Sequence, residues 1–268
     1  MTKRYGFKEP VFDPNAYHFG GGLIPDDVLQ ADSSWLGYLP DLEIQNVNGV
    51  ETEDCTGFGM TNAVEMYLKR KFGLAVNYSD RALGIAAGTG EGGGNTPQVV
   101  CETIRKLGLI PESLLPFSPD IGSAEQFYTP SPLPTSLLEE GQKWLRAWDF
   151  KHEYVGQEGQ EIDHAVLREA LKHSPIGIAV YAWEKGENDL YIKAGPENHW
   201  VVLVGFDGDF PLIFDSYEEK GSELKKLAPD YQFRFAKRIY IAKKDGLVVV
   251  KKNTFIEWLK SWLNEILA

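Results

Sequence analysis

Helical and strand-like periodicity are segregated along this chain, and that segregation constrains the fold more than any other feature. Between Thr56 and Lys71 the apolar residues Phe58, Met60, Val64, Met66, Tyr67 and, just beyond, Phe72 recur at helical spacing, with Gly73 as a stop signal. Ser79-Asp80 predicts a capped helix through Ala87, and Thr96-Pro97 opens another through about Lys106, closed by Gly108. Gly88–Gly94 and Pro116–Pro134 read as loops. After a helix over Ser136–Trp148 the character changes. A strand near Phe150–Val155 and a helix over Glu161–His173 lead into the apolar runs Ile176–Tyr181, Trp200–Phe206, Leu212–Phe214 and Phe233–Ala242. Helices first and strands afterwards predict an α+β fold with two lobes.

Residues 1–40 break both periods with Pro10, Pro14, Gly20-Gly21-Gly22, Pro25 and Pro40. Their aromatics (Tyr5, Phe7, Phe12, Tyr17, Phe19, Trp35 and Tyr38) favour an arm packed down on the fold. The expected division of residues 1–268 is one domain: an arm over 1–40, a helical lobe over 41–135, a β-rich lobe over 136–245, and a C-terminal strand and helix over 246–268. That last helix, Thr254–Leu267, aligns Phe255, Leu259, Trp262, Leu263 and Ile266 on one face, for docking on its own domain or on a protein partner.

With 27 basic against 39 acidic side chains, the 268-residue chain has a net charge of −12. That balance argues against nucleic acid and anionic membranes as partners, since both need clustered Lys and Arg. Two cysteines exclude a disulfide scaffold and four-cysteine metal sites, and no metal or cofactor is expected. No apolar run follows the basic residues at the N-terminus and no window is long enough to span a membrane, so the expected compartment is the cytoplasm.

One constellation carries chemistry. Cys55 follows a polar loop and directly precedes a helix, where the positive end of the macrodipole favours a thiolate. His199 heads an apolar strand, Asn198-His199-Trp200-Val201-Val202, and Asp215 ends the next, Leu212-Ile213-Phe214-Asp215. A two-stranded meander can set His199 beside Asp215, leaving its other ring nitrogen for Cys55. Cys101, amid Val99, Val100 and Ile104 on a helix, reads as a small buried hydrophobe. His18, His152, His164 and His173 show no partner pattern.

The 144 residues from Cys55 to His199 fall within the roughly 130–150 typical of papain-like cysteine peptidases, which this sequence resembles over most of residues 40–245. Asn198-His199 and the following strand are similar to that family's Asn-His-Ala-Val segment, and Asp215-Ser216-Tyr217 to its Asn-Ser-Trp turn. The resemblance implies a two-lobe α+β fold, helical in the N-terminal lobe and antiparallel and β-barrel-like in the C-terminal one, with the active site in the cleft. It implies hydrolysis of peptide or isopeptide bonds without metal or cofactor. Cys55 would be the nucleophile, His199 its base and acid, Asp215 the orienting group, and Gln45 the oxyanion-hole side chain. Tyr217 would shield the His–Asp hydrogen bond, and Gly92, Gly93, Gly94 and Asn198 would contact an extended peptide. Because the family has Asn at the third position, Asp215→Asn is expected to retain much activity.

Departures are visible as well. The Cys-Gly-Ser-Cys-Trp signature is absent, Thr52 replaces the family's disulfide cysteine, and Gln45 lies ten residues before Cys55. Glu51, Glu53 and Asp54 surround the thiol with negative charge, which raises its pKa. The 44 residues before Gln45 are fewer than the family's long inhibitory prosegment requires. The arm is therefore expected to strap the surface and leave the cleft open. A catalytically decayed structural component is the first alternative. A cysteine amidase or cell-wall hydrolase is the second, against which the long Cys–His separation counts.

Overall fold

The computed structural model describes residues 4–244, apart from 12, 91, 158 and 218–220. The helix expected over Thr254–Leu267 lies outside the described residues. The helices are α1 (Cys55–Phe72), α2 (Asp80–Ala86), α3 (Pro97–Leu107), α4 (Ala124–Phe127), α5 (Thr135–Ala147) and α6 (His164–Leu171). The strands are β1 (Trp148–Tyr154), β2 (Ile176–Val180), β3 (Glu184–Lys185), β4 (Tyr191–Ile192), β5 (His199–Asp207), β6 (Phe210–Phe214), β7 (Leu224–Lys226) and β8 (Ala236–Lys243).

Local chemistry accounts for the helix limits. The Ser79 hydroxyl accepts from the Ala82 N–H at 2.9 Å and the Thr96 hydroxyl from the Val99 N–H at 3.2 Å, so each satisfies an orphan donor of its first turn. Gly73 closes α1 in the left-handed region at φ 68°, open to a residue without a Cβ. Asp163 caps α6, which starts at His164 and is shorter than the periodicity predicts. The proline-rich stretch after Pro116 is mostly loop but contains α4, capped by Ser123.

Six strands form one antiparallel sheet in the order β1-β8-β2-β5-β6-β7, and β3 and β4 form a separate ribbon. Helix α1 runs through the centre of the molecule, buried from Cys55 to Leu68, and packs on β5. Two glycines permit that approach: a Cβ on Gly59 would lie 2.7 Å from Trp200 Cδ1, and one on Gly177 would lie 2.7 Å from Trp200 Cζ2. The main core joins α1 and α3 to the sheet, and a smaller cluster around Phe58, Ile85, Phe127 and Tyr128 supports the proline-rich loop.

Much of the arm is a strap, as expected. Trp35 is fully buried, its indole N–H donates to the Leu171 carbonyl at 2.7 Å, and its backbone N–H donates to Val204 at 2.8 Å. Phe19 N–H donates to Tyr154 at 2.7 Å.

Candidate active site

The register of the sheet gathers the polar residues at one end of β5. Val180 of β2 pairs with His199, and Val202 of β5 pairs with Phe214, so the segment leaving β6 passes beside the head of β5. There His199 Nε2 and Asp215 Oδ1 are 2.7 Å apart, both residues being almost wholly buried. The Tyr217 backbone N–H donates to the same oxygen at 3.0 Å. The other carboxylate oxygen, Oδ2, accepts from Lys225 Nζ at 2.9 Å and from the Trp183 indole N–H at 3.1 Å. Although burial opposes ionisation, His199 and Lys225 hold the Asp215 pKa down at about 2. The Trp183 ring stands edge-on to His199 at 5.8 Å, sharing with Tyr217 the shielding that the sequence assigns to Tyr217 alone.

Cys55 is the first residue of α1, and its sulfur lies against the backbone N–H groups of Trp200 and Thr56. Packing of α1 on β5 therefore brings the thiol to the residue that follows His199. Asn62 of α1 donates to the Ser216 hydroxyl at 2.7 Å, tying the helix to the turn after Asp215. His199 Nδ1 has no hydrogen-bond partner among the described residues, so a direct bond to the thiol is absent from this state. Burial pushes the Cys55 thiol pKa well up, and Asp54 and Asp215 add to the rise. The backbone N–H groups of Trp200 and Thr56 oppose that rise without cancelling it.

The acidic loop is not the solvated surface its composition suggests. Asp54 is completely buried, and its carboxyl is pushed well above the usual carboxylate range by burial, with Thr89 and the Gly57 N–H opposing. Gly57 and Gly84 make room for it: a Cβ at either position would fall 2.5 Å or 2.2 Å from Asp54 Oδ2. Glu53 pairs with Arg4 at 3.3 Å, and Glu51 accepts from the Tyr217 hydroxyl at 2.7 Å. Gln45 is buried with neither amide atom hydrogen-bonded among the described residues, and its backbone N–H donates to Ser216 at 2.9 Å. Cys101 is fully buried, with its thiol pushed up to about 12 by burial.

The first residues of the arm overturn the expectation of an open cleft. Residues 4–8 run through it. Cys55 N–H points to the Tyr5 carbonyl at 3.4 Å, Asn95 N–H donates to Gly6 at 2.9 Å, Phe7 N–H to Asn198 at 3.3 Å, and Lys8 N–H to Asn95 at 2.9 Å. The Tyr5 ring packs 4.8 Å from His199 and 4.6 Å from Tyr217, and Phe7 stacks on Trp200 at 5.8 Å. A narrow cleft cannot hold the whole arm, but it holds this thin segment. Main-chain hydrogen bonds offset the ordering entropy, while Trp35 anchors the rest elsewhere.

Two glycines set that thinness. A Cβ on Gly6 (φ 99°) would sit 1.9 Å from the Glu53 carbonyl oxygen, and one on Gly94 (φ 55°) 2.1 Å from that of Gly6. Of the glycine run, only Gly94 touches the arm. Gly93 closes a turn back to Gly90 at 3.0 Å, and a Cβ on Gly92 would meet nothing. The groups that pair with an extended strand belong to Asn95, which sequence reasoning passes over. Lys225, Trp183 and Tyr5 are missed as well. No motif marks them, and Lys225 is one of two adjacent lysines in the three-residue strand β7.

The sequence matches no protein-family model and no curated protein sequence. Its structure is similar to that of the digestive procathepsin L 3 of Tenebrio molitor larval midgut, with a TM-score of 0.55 and 16% identity, covering 77% of this chain and 68% of that one. It is also similar to the ragweed pollen allergen Amb a 11, a cysteine protease solved in its proform, with a TM-score of 0.52, 17% identity and coverage of 82% and 68%. A third similar structure is the Carica candamarcensis cysteine protease CMS1MS2 in complex with E-64, at a TM-score of 0.54, 17% identity and coverage of 77% and 96%. With its helical N-terminal part and antiparallel C-terminal sheet, the chain has the fold of the papain-like cysteine proteases.

Proposed function

We propose that the chain is a cysteine peptidase held latent by its own first residues. The observation that carries this reading is the buried His199–Asp215 pair at 2.7 Å at the head of β5, the strand against which α1, beginning at Cys55, packs. In the reaction His199 Nδ1 takes the thiol proton and the Cys55 sulfur bonds to the carbonyl carbon of the scissile amide. The carbon–nitrogen bond breaks and the imidazolium gives its proton to the departing amine. Water then attacks the thioester, with His199 accepting its proton and returning one to the sulfur as the carboxylic acid leaves. The Cys55 N–H and the Gln45 amide would stabilise the oxyanion, each donor worth about 3 kcal/mol in such sites. An extended peptide would use the main chain of Asn95 and Asn198, the groups that now hold residues 6–8. Two of the similar proteins are themselves pro-forms by description.

The occupied groove also favours a second reading, a non-enzymatic component with a permanently closed site. One experiment separates the two. Hydrolysis of a fluorogenic peptide library is measured for the full chain, Gly6→Ala, and Gly6→Ala with Cys55→Ala. The peptidase reading expects turnover to rise in Gly6→Ala and to vanish when Cys55 is also replaced. Folded Gly6→Ala protein without Cys55-dependent hydrolysis supports the closed component and overturns the peptidase.

A further inference from the structure

Lys225 is a lysine in an unusual place. It is 2% exposed on β7, and its ammonium donates to Asp215 Oδ2 at 2.9 Å and to the Ser222 carbonyl at 2.8 Å. The Trp183 ring lies 5.3 Å from it and the Tyr191 ring 6.0 Å. Burying an ammonium is strongly unfavourable unless a partner offsets it, and the partner here is the group that orients His199.

We propose that Lys225 is a positioning residue of the active site: its ammonium cancels the charge of Asp215 and fixes its second oxygen, so that the carboxylate steers the His199 ring as a neutral acceptor would. This rests on the peptidase reading above. The reasoning is electrostatic. During catalysis the site holds a Cys55 thiolate, a His199 imidazolium and the Asp215 carboxylate, which without Lys225 sum to one buried negative charge. With Lys225 they sum to zero. An uncompensated carboxylate bonded to the ring makes the imidazolium a weaker acid towards the leaving amine, and its charge also opposes thiolate formation. Other titratable groups packed around the site do not supply the missing cation. Tyr5 from the arm, Tyr217, Glu51 bonded to Tyr217, and the buried Asp54 beside Cys55 are neutral or acidic, and Arg4 is engaged with Glu53.

The test makes each change in the full-length Gly6→Ala protein, whose groove is expected to be open and which serves as the wild-type reference, and compares that parent with Lys225→Met, Lys225→Arg and the double variant Asp215→Asn with Lys225→Met. Two readouts are used: the pH dependence of Cys55 alkylation by iodoacetamide, read by mass with Cys101 as an internal control for unfolding, and the pH profile of peptide turnover. Lys225→Met should move the onset of alkylation up by about one pH unit and move the alkaline limb of turnover at least as far, with kcat reduced about tenfold. Lys225→Arg should keep the wild-type profiles. The double variant should return both profiles to within about half a unit of wild type, because a neutral amide then faces the ring.

Unchanged profiles in Lys225→Met would overturn the proposal, as would a double variant no better than the single one. If Lys225→Met alone does not fold, the double variant decides: folded with wild-type profiles it supports the assignment, and unfolded it shows a purely structural lysine. Alkylation that follows the expected pattern with no turnover in any of the proteins would sink the peptidase reading while leaving the charge pairing intact.

Discussion

At the scale of single residues, Asp215 differs most from what its sequence neighbourhood suggests. Read beside a family that has Asn there, Asp215→Asn is benign. With Lys225 bonded to it at 2.9 Å, the same change leaves a buried ammonium half-satisfied. We therefore expect Asp215→Asn to lose about 3 kcal/mol in denaturant unfolding, and further replacement of Lys225 by Met to restore most of it. Gln45 gives a prediction of another kind. Its amide is buried and unbonded, so Gln45→Ala should leave the fold intact and lower kcat about a hundredfold with little change in KM. Kinetics that change KM alone would assign Gln45 to binding. Cys55, His199 and Asp215 stand out in the sequence because each sits at a junction of local patterns: loop to helix, head of a strand, end of a strand. Lys225 does not, because its partner is set by the register of β7 on β6, which pairs Phe214 with Leu224 and leaves no periodic trace in three residues.

Among the elements, the helices were the most legible. Ser79 and Thr96 announce their helices by capping chemistry that acts within four residues, and Gly73 ends α1 for a local steric reason. The arm was legible only in part. Aromatic content says that it packs, but not that Tyr5-Gly6-Phe7 enters a groove whose walls come from residues 53, 94–95 and 198. The fit of that segment depends on two absent side chains. Gly6→Ala adds a Cβ against backbone at a φ of 99°, where an L-residue is strained as well. It should expel residues 4–8 while Trp35 keeps the remaining strap attached. Limited proteolysis should then cut ahead of Pro10 while the body of the chain persists, and Cys55 alkylation should accelerate at least about tenfold. Unchanged alkylation in the variant would show that the segment does not control access.

For the whole molecule, buried acids make stability pH-dependent in a direction that a net charge of −12 cannot reveal. Burial and the nearby Glu43 push Glu112 up to about 7, while Glu65 and Asp80 are also raised by burial. An acid whose folded pKa is raised contributes stability that is complete below its unfolded value, near 4.5 for Glu112, and that is lost as pH climbs through 7. His152 acts oppositely: burial and Lys237 push it down to about 3, so its contribution is lost on acidification below 6.5. Comparing variants isolates the first effect. Glu112→Gln should flatten the fall in thermal midpoint between pH 4.5 and 7, and parallel curves for the two proteins would contradict this assignment. The strand order has a consequence for synthesis. β8 is the last described strand in the chain, yet it lies between β1 and β2, and it brings Arg238 to the buried Glu153. A ribosome-bound chain that stops short of Ala236 therefore has a slot in the middle of its sheet, flanked by two unpaired strand edges. The wall carrying His199 is completed only once Ala236–Lys243 has been made, more than two hundred residues after the segment that covers it, so on the nascent chain the stopper precedes the blade.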